Sequence, residues 1–350
     1  MTTTRYGASR ADVATLLDSW DLPAYRTAQL YDGLWAQRKP LEDLTGLPKD
    51  LRARLAEALP LSLEPVTMRS SADGQTVKWL WQTAGGAQVE TVLMISPERA
   101  TVCVSSQAGC AMACTFCATG QAGFERHLDC AEIVEQVVRA QHITPVRVSH
   151  VVFMGMGEPL ANVDPVLAAL ERLHDDFGLS ARHLTVSTVG VVPGMRRLAQ
   201  HHLPVTLAVS LHAADDDLRA TLVPLNRRYP INSVLDAARE YAAIKGRRVT
   251  FEYACIAGIN DLPEQAEMLA GRLTGLRGGA HVNLIPLNPT GAFAGQAPDR
   301  ARINRFAARL AAAGVTVTVR HNRGVDIDAA CGQLRAREAE VRAEPRPAHR

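Results

Sequence analysis

Residues 149–177 read SHVVFMGMGEPLANVDPVLAALERLHDDF. The first six residues form a short run rich in valine and other apolar residues, which is typical of a strand. A glycine-rich loop follows. Apolar residues then recur at three- and four-residue spacing over 163–177, which indicates an amphipathic helix. The segment therefore predicts a strand, a loop and a helix, the repeating unit of a parallel sheet.

The same unit recurs along the chain from about residue 100. Strand–helix alternation repeated six or seven times predicts an α/β fold with a parallel sheet, which is either open and doubly wound or a full or partial barrel. In both architectures ligands bind at the carboxyl ends of the strands. Helical patterns cover 130–141, 163–177, 263–273 and 299–313, and the predicted strands cover 100–106, 149–154, 183–187, 204–211, 248–255, 281–287 and 315–321.

The first 85 residues follow a different pattern. Asp73-Gly74 lies between two β-like runs and is a strong signal for a hairpin turn. We predict a small accessory unit over 1–85, a main domain over 86–331 and a polar, flexible tail over 332–350. Helical patterns in the first unit cover 12–20, 23–37 and 49–58, and β-like runs cover 63–69 and 76–82. A third β-like run, 88–96, lies at the start of the main domain.

Composition limits the class of protein. The chain has 350 residues, of which 47% are apolar and 21% charged, so it is not a largely disordered chain. A net charge of +2 argues against a polycationic coat around nucleic acid. No apolar run approaches the ~18 residues of a membrane span, and the N-terminus lacks the features of a signal peptide. We therefore expect a cytoplasmic protein without a membrane segment. Seven cysteines, an odd number, favour metal, redox or nucleophilic roles over a disulfide scaffold.

The most specific motif is CAMACTFC over residues 110–117, in which Cys110, Cys114 and Cys117 have C-x3-C-x2-C spacing. Three thiolates close together can hold a soft metal. Because a closed structural zinc site needs four ligands, three cysteines fit a four-iron, four-sulfur (4Fe–4S) cluster with one iron left open. The alternatives are a zinc site that borrows Cys103 or Cys130, and simple buried thiols.

Polar residues follow several of the predicted strands. Glycines let backbone approach a ligand closely, and a carboxylate at a strand end can accept hydrogen bonds from an ammonium group. Serine and asparagine are also common helix caps, which is the alternative explanation for some of these positions. The candidate site residues at or just after the predicted strand ends are Gly157 and Glu158 in the GMGEP loop, Ser187, Ser210, the apolar Leu211, His212 and Asn288.

The cysteine triplet, with Phe116 before its third cysteine, resembles the signature of the radical S-adenosylmethionine (radical SAM) superfamily. The resemblance implies a partial (β/α)6 barrel with the small N-terminal unit beside it. It also implies that the open iron of the cluster binds the methionine part of SAM, which an electron from the cluster splits to give a 5′-deoxyadenosyl radical. Gly157 and Glu158 then hold the SAM amino group, and the residues at the later strand ends hold its ribose, carboxylate and adenine.

The resemblance is closer to one family within that superfamily, the dual-specificity ribosomal and transfer RNA adenine-C2 methyltransferases, and covers roughly residues 10–335. A sister family that methylates adenine C8 shares the cysteines. The motifs that carry the resemblance are CVSSQAGC (103–110), GMGEP (155–159), STVGVVP (187–193), SLHA (210–213), HVNLIPLN (281–288) and DAACGQL (328–334).

The family resemblance assigns roles to three further residues. Cys331 takes a methyl group from one SAM, and a second SAM generates the radical that activates this methyl for addition to adenine C2. The protein–RNA thioether that results is resolved by Cys103, which forms a disulfide with Cys331. Glu90 is implied to be a proton acceptor; a solvent-facing position in a strand is the alternative.

The resemblance also implies the partners: 23S ribosomal RNA, transfer RNA, and an electron donor such as flavodoxin or ferredoxin. We expect a monomer. A rival of a different class is a zinc-stabilised RNA-binding protein without catalysis. Arginine suits phosphate contacts, and the candidate RNA contacts are Arg126-His127, Asn226-Arg227-Arg228, Lys245-Gly246-Arg247-Arg248 and Arg320-His321-Asn322-Arg323.

Overall fold

The computed structural model describes residues 3–276, 279–320 and 324–334. Within these ranges no helix has both the length and the apolar character needed to cross a membrane. The strands are β1 (Leu63–Ser70), β2 (Thr76–Thr83), β3 (Gln88–Ser96), β4 (Arg99–Cys103), β5 (Gln107–Gly109), β6 (Phe124–His127), β7 (Val148–Phe153), β8 (Leu184–Thr188), β9 (Thr206–Ser210), β10 (Thr250–Cys255), β11 (His281–Pro286) and β12 (Thr316–Val319).

The helices lie before the sheet and between its strands. Short 3₁₀ turns cover Leu41–Asp43, Pro159–Ala161, Ala181–His183, Pro224–Arg227 and Val325–Ile327. The α-helices are α1 (Arg10–Asp18), α2 (Tyr25–Trp35), α3 (Lys49–Ala58), α4 (Ala118–Ala122), α5 (Cys130–His142), α6 (Val163–Asp175), α7 (Val192–Gln200), α8 (Asp216–Leu222), α9 (Ile231–Lys245), α10 (Pro263–Leu273) and α11 (Arg300–Ala312).

Ten of the described strands form one mixed sheet in the order β1-β2-β3-β4-β7-β8-β9-β10-β11-β12. The first four strands pair antiparallel. From β4 to β12 the pairing is parallel, and helices connect successive strands. All seven predicted parallel strands are present, so the predicted α/β class is confirmed. Within the described residues no ladder joins β12 back to β4, and the parallel strands do not close into a complete barrel.

Local sequence signals set the helix boundaries. Asp129 caps α5 in a reciprocal arrangement: its side chain accepts from the Glu132 backbone N–H at 2.8 Å, and Glu132 accepts from the Asp129 N–H at 2.9 Å. This capping box satisfies two backbone donors that the first helical turn leaves free. Asp215 caps α8 and Asp299 caps α11 in a similar way, each with a side-chain oxygen on a first-turn N–H.

The N-terminal elements share the core of the main sheet. The Tyr31 hydroxyl donates to Asp176 at 2.8 Å, and Glu135 accepts from the Ser62 backbone N–H at 2.7 Å. The predicted hairpin turn at Asp73-Gly74 is confirmed, since β1 and β2 pair around it and Gly74 has φ +67°. The boundary at residue 85 stays a prediction, because β2 also pairs with β3 across it.

The predicted tail over 332–350 falls mostly outside the described residues. Its first residues pack against the cysteine loop. The Ala118 backbone N–H donates to the Gly332 carbonyl at 2.8 Å, and the Thr119 hydroxyl donates to the Leu334 carbonyl at 2.6 Å. Cys331 is therefore held beside the loop that carries Cys110, Cys114 and Cys117.

Candidate active site

The predicted site residues meet at the carboxyl ends of the parallel strands. The cysteine loop follows β4 and β5, and the glycine loop follows β7. Ser187 is at the end of β8, Ser210 ends β9, and Asn288 lies just after β11. In open parallel sheets, ligands bind in the loops at the carboxyl ends of the strands.

The three-cysteine loop lies between β5 and α4 and is tightly folded. The Cys110 N–H donates to the Gly123 carbonyl at 2.7 Å, and the Cys117 N–H donates to the Cys114 carbonyl at 3.1 Å. Gly120 allows this packing, because a Cβ at that position would lie 2.9 Å from the Cys114 backbone nitrogen. The loop thus brings three thiols together from a stretch of eight residues.

The thiols of the loop act on one another electrostatically. Cys110 and Cys114 are buried, and Cys117 is partly buried. Burial is the main cause that raises the pKa of Cys110 to about 12, and it raises the pKa of Cys114 well above its usual range. Negative charge on the neighbouring thiols, Cys117 for both residues and Cys110 for Cys114, raises these pKa values further. A bound soft metal would reverse this, because coordination keeps thiols deprotonated.

The donor set fits a 4Fe–4S cluster with one open iron better than a closed zinc site. The zinc alternative needs Cys103 or Cys130 as a fourth ligand. Cys103 is the last residue of β4, and Cys130 is the first residue of α5. Neither cysteine belongs to the three-cysteine loop.

Glu158 joins the glycine loop to the end of β8. Its carboxylate accepts from the Leu160 N–H at 3.0 Å and from the Val189 N–H at 2.8 Å. Burial raises the pKa of Glu158 to about 7, against the lowering effect of these hydrogen bonds. Gly157 has φ +98°, and a Cβ there would lie 2.5 Å from the Gln107 Cβ, so the loop requires glycine.

His212 links the end of β9 to the cysteine loop. Its Nδ1 accepts from the Ala254 backbone N–H at 3.0 Å, and the Phe116 ring packs edge-on against it with 4.8 Å between centroids. Burial lowers the pKa of His212 to about 3, so the imidazole is neutral and carries its proton on Nε2. Nearby, the hydroxyls of Ser187 and Ser210 lie 3.4 Å apart.

Asn288 offers an unused acceptor to the site. Its Nδ2 donates to the Cys331 carbonyl at 2.9 Å. Its Oδ1 is buried and has no hydrogen-bond partner among the described residues. Because buried polar atoms in proteins are almost always paired, this oxygen suits a ligand that carries an N–H or O–H donor, as the adenine and ribose of SAM do.

Cys331 and Cys103 form a second pair of thiols at this edge. Cys331 is exposed at the mouth of the site, and Cys103 is buried at the end of β4. Burial and then the charge of Cys331 raise the pKa of Cys103. Although Cys331 is exposed, desolvation by the surrounding residues and then the charge of Glu252 raise the pKa of its thiol. Both cysteines are free thiols in this structure.

Glu90 is buried on β3, so the alternative explanation that it faces solvent is wrong. Its Oε1 lies 3.0 Å from the Nζ atom of Lys78 on β2. Sequence reasoning did not single out Lys78, because the two residues come together only when the β2–β3 ladder forms.

Arg219 is a second residue that sequence reasoning missed. Its side chain is fully buried and satisfies carbonyls from two strand ends: Nε donates to Leu211 at 2.9 Å, and Nη2 donates to Val189 at 2.6 Å. Nη1 donates to the Asn226 side chain at 2.9 Å. A single arginine in a short helical pattern has no sequence signal that marks it as buried.

The structure separates the candidate RNA contacts. Asn226 is buried and accepts a hydrogen bond from Arg219, and Arg126 pairs with Glu132. Arg227 and Arg228 follow α8, which touches the cysteine loop through the Thr115–Leu222 backbone bond. Residues 245–248 precede β10 and therefore lie at the opposite end of the strands, and residues 321–323 lie outside the described residues.

Comparisons with known proteins agree with this geometry. The Radical SAM superfamily model matches residues 104–270. A relative from Parafrankia sp. (strain EAN1pec), "Probable dual-specificity RNA methyltransferase RlmN", is 53% identical, and the match covers 94% of this chain and 90% of the relative. A protein of the same name from Thermosynechococcus vestitus (strain NIES-2133 / IAM M-273 / BP-1) is 46% identical over 94% of this chain and 97% of its own length.

A solved structure supports the same conclusion. The crystal structure of a radical SAM methyltransferase from Sphaerobacter thermophilus superposes with a TM-score of 0.90 at 48% identity, and the match covers 96% of this chain and all of that one. The chain belongs to the RlmN family of radical SAM RNA methyltransferases.

Proposed function

We propose that this RNA methyltransferase acts on C2 of adenosine in 23S ribosomal RNA and in transfer RNA, with Cys331 as the carrier of the methyl group. The observation that carries the proposal is the second pair of thiols, Cys331 and Cys103, beside the three-cysteine loop. A simple methyl transfer to a nucleophile needs neither of these thiols. The relatives named dual-specificity RNA methyltransferase support two kinds of RNA substrate.

The site residues divide into those that hold a cluster and those that hold SAM. Cys110, Cys114 and Cys117 would be the three ligands of one 4Fe–4S cluster. When bound, the cluster and two molecules of SAM per turnover supply the methyl group and the radical chemistry. The residues that would surround SAM are Gly157, Glu158, Ser187, Ser210, Leu211, His212 and Asn288, which line the strand ends next to the cysteine loop.

Cys331 receives the methyl group on sulfur and then bonds through that carbon to adenine C2. The thiol must first lose its proton, because the thiolate is the nucleophile. Its exposed position at the mouth of the site supports access to both SAM and the base. The Asn288 side chain and the Cys117–Ala118 turn hold its backbone in place.

Cys103 resolves the protein–RNA thioether. The Cys103 thiol gives up its proton and its sulfur attacks the Cys331 sulfur. The carbon–sulfur bond to the adduct breaks, its electron pair stays on the carbon attached to adenine C2, and that carbon takes up a proton to become the methyl group. A disulfide between the two cysteines is the other product, which a reductant must reduce before the next turnover. The pairing is supported by the position of Cys103 at the carboxyl end of β4 and by the free thiols of both cysteines.

Glu90 accepts the proton that leaves C2. It is a buried carboxylate whose Oε1 lies 3.0 Å from the Lys78 Nζ atom, beside the loop that presents Cys331. The target adenine has to leave its stack to reach a site of this depth. Arg227 and Arg228 are the candidates for phosphate contacts on the cysteine-loop side, and flavodoxin or ferredoxin is the proposed electron donor to a monomeric, cytoplasmic enzyme.

Analysis of modified nucleosides tests the proposed function. The protein is purified anaerobically, loaded with iron and sulfide, and incubated with SAM, a low-potential reductant and either 23S ribosomal RNA or transfer RNA. We expect a brown protein and 2-methyladenosine in the nuclease digest of both RNAs, by mass spectrometry. Formation of 8-methyladenosine would contradict the C2 assignment, and absence of any methylated adenosine with a full cluster would contradict the proposed function.

A further inference from the structure

Lys78 on β2 touches two parts of the proposed site at once. Its Nζ atom lies 3.0 Å from the Glu90 carboxylate and donates to the Asp328 carbonyl at 3.1 Å. Lys78 is 9% exposed and Glu90 1% exposed. Asp328 comes three residues before Cys331 in the chain. One buried ammonium group therefore connects the Glu90 strand to the loop that presents Cys331.

The loop before Cys331 rests on the β1–β2 hairpin at two further points. The Ala72 backbone N–H donates to the Asp326 carboxylate at 3.0 Å. Gly324, with φ +66°, lies so close to the hairpin that a Cβ there would be 2.8 Å from the Thr76 Cγ2 atom. The hairpin of the predicted accessory unit thus forms one wall of the Cys331 loop.

Asp328 has a backbone conformation that needs support. Its φ is +53°, in the left-handed region that residues with a side chain seldom adopt, although aspartate does so more readily than most. A residue persists in this region when the surrounding structure holds it there. The lysine contact is made to the carbonyl of this same residue, so it fixes the turn that aims the chain towards Cys331.

We infer that Lys78 is a positioning residue for the methylation reaction: by binding the Asp328 carbonyl and the Glu90 carboxylate together, it holds the Cys331 sulfur at a fixed place relative to Glu90. This inference rests on the proposed roles of Cys331 and Glu90. Lysine suits the task because its ammonium group has three donors, enough for both acceptors. Burial keeps water from competing for either contact.

Hydrogen exchange of the loop tests the inference without reference to activity. Lys78→Met alone leaves Glu90 buried without its cation and so endangers folding, so the comparison uses Glu90→Gln with and without Lys78→Met. In Glu90→Gln the lysine still binds Asp328, and we expect exchange in a peptide spanning residues 324–334 to stay near the wild-type rate. Adding Lys78→Met should raise that exchange, and alkylation of Cys331, about fivefold.

The remaining variants separate positioning from general stability. Lys49→Met, on the exposed N-terminal turn of α3, is the matched control and should change neither exchange nor RNA methylation. In the Glu90→Gln background, Lys78→Arg keeps donors at this position. Exchange in residues 324–334 should therefore stay close to that of Glu90→Gln alone. RNA methylation by folded Lys78→Met, with a full cluster and normal SAM binding, should fall on the order of tenfold or more.

The exchange comparison tests the role of Lys78, and the methylation assay of the wild-type protein tests the proposed function. Equal exchange and alkylation in Glu90→Gln and in the double variant would overturn the inference, whatever the activities. Failure of the wild-type protein to methylate RNA would contradict the proposed function, while the exchange comparison would still decide whether Lys78 holds the loop.

Discussion

Among single side chains, Cys331 makes the sharpest prediction. Protein isolated from cells should carry one added methylene on the Cys331 peptide, measured by mass spectrometry. Cys331→Ala should keep its cluster and still cleave SAM, because no ligand of the three-cysteine loop changes, yet it should methylate no RNA. RNA methylation by this variant would remove Cys331 from the mechanism.

His142 makes a prediction about acid stability. It lies at the end of α5, and its Nε2 is buried with no partner among the described residues. Burial lowers its pKa to about 4. The unfolded chain takes up a proton below about pH 6.5 and the folded chain does not, so stability is complete above that pH and is lost as the pH falls towards 4.

His142→Gln should reduce this acid sensitivity. Relative to wild type, the variant should lose roughly 2 kcal/mol less of its unfolding free energy between pH 7 and pH 4, a figure discounted for partial exposure. The measurement is the thermal unfolding midpoint across this pH range. An unaltered pH dependence in His142→Gln would contradict this account of His142.

Among loops and strands, the cysteine loop is predicted to hold the cluster alone. Cys114→Ala removes one of three ligands and should abolish both the iron–sulfur absorbance and SAM cleavage. Cys130→Ala is the matched control. Because Cys130 lies outside the loop, this variant should keep the iron–sulfur absorbance. A full cluster in Cys114→Ala would show that the ligand assignment is wrong.

Arg219 is predicted to hold the ends of β8 and β9 in place. Arg219→Met keeps the apolar stem but leaves the Val189 and Leu211 carbonyls buried without donors, at a cost of at least about 3 kcal/mol. The thermal midpoint should fall by several degrees, and SAM binding measured by calorimetry should weaken. Arg305→Met, on the exposed face of α11, should change neither. A normal midpoint in Arg219→Met would contradict this role.

The parallel part of the fold could be predicted from local patterns, because each strand and helix has its own hydrophobic period. The polar residues after β7, β8, β9 and β11 could be predicted as neighbours for a related reason: parallel strands end at one edge. The cysteine spacing likewise indicates a cluster on its own. These signals are contained in short stretches of sequence.

The missed residues depend on contacts between distant stretches. Lys78 meets Glu90 through strand pairing, and it meets Asp328 across 250 residues of chain. Arg219 is buried because the loops after two strands turn their carbonyls towards it. Alternation along β3 also favours exposure of Glu90, whereas the residue is buried and pairs with Lys78 of the neighbouring strand. No local period encodes such contacts.

For the molecule as a whole, the sheet places the residues of the proposed reaction at the carboxyl ends of its parallel strands. The antiparallel strands contribute Glu90 and Lys78, the parallel strands contribute the cysteine loop and the proposed SAM site, and the last described segment contributes Cys331. Truncation of the hairpin or of the C-terminal loop would therefore remove parts of the site rather than peripheral structure. The central claim is that Cys331 and Cys103 perform successive steps on the same RNA.

Trapping the protein–RNA adduct tests that claim most directly. Cys103→Ala protein with a full cluster is incubated anaerobically with SAM, a reductant and RNA, and then run on a denaturing gel. We predict a covalent species that nuclease digestion reduces to a nucleotide-sized mass on the Cys331 peptide and that is absent from the Cys103→Ala, Cys331→Ala double variant. Only free protein and free RNA from the single variant, with its cluster intact, would contradict the account.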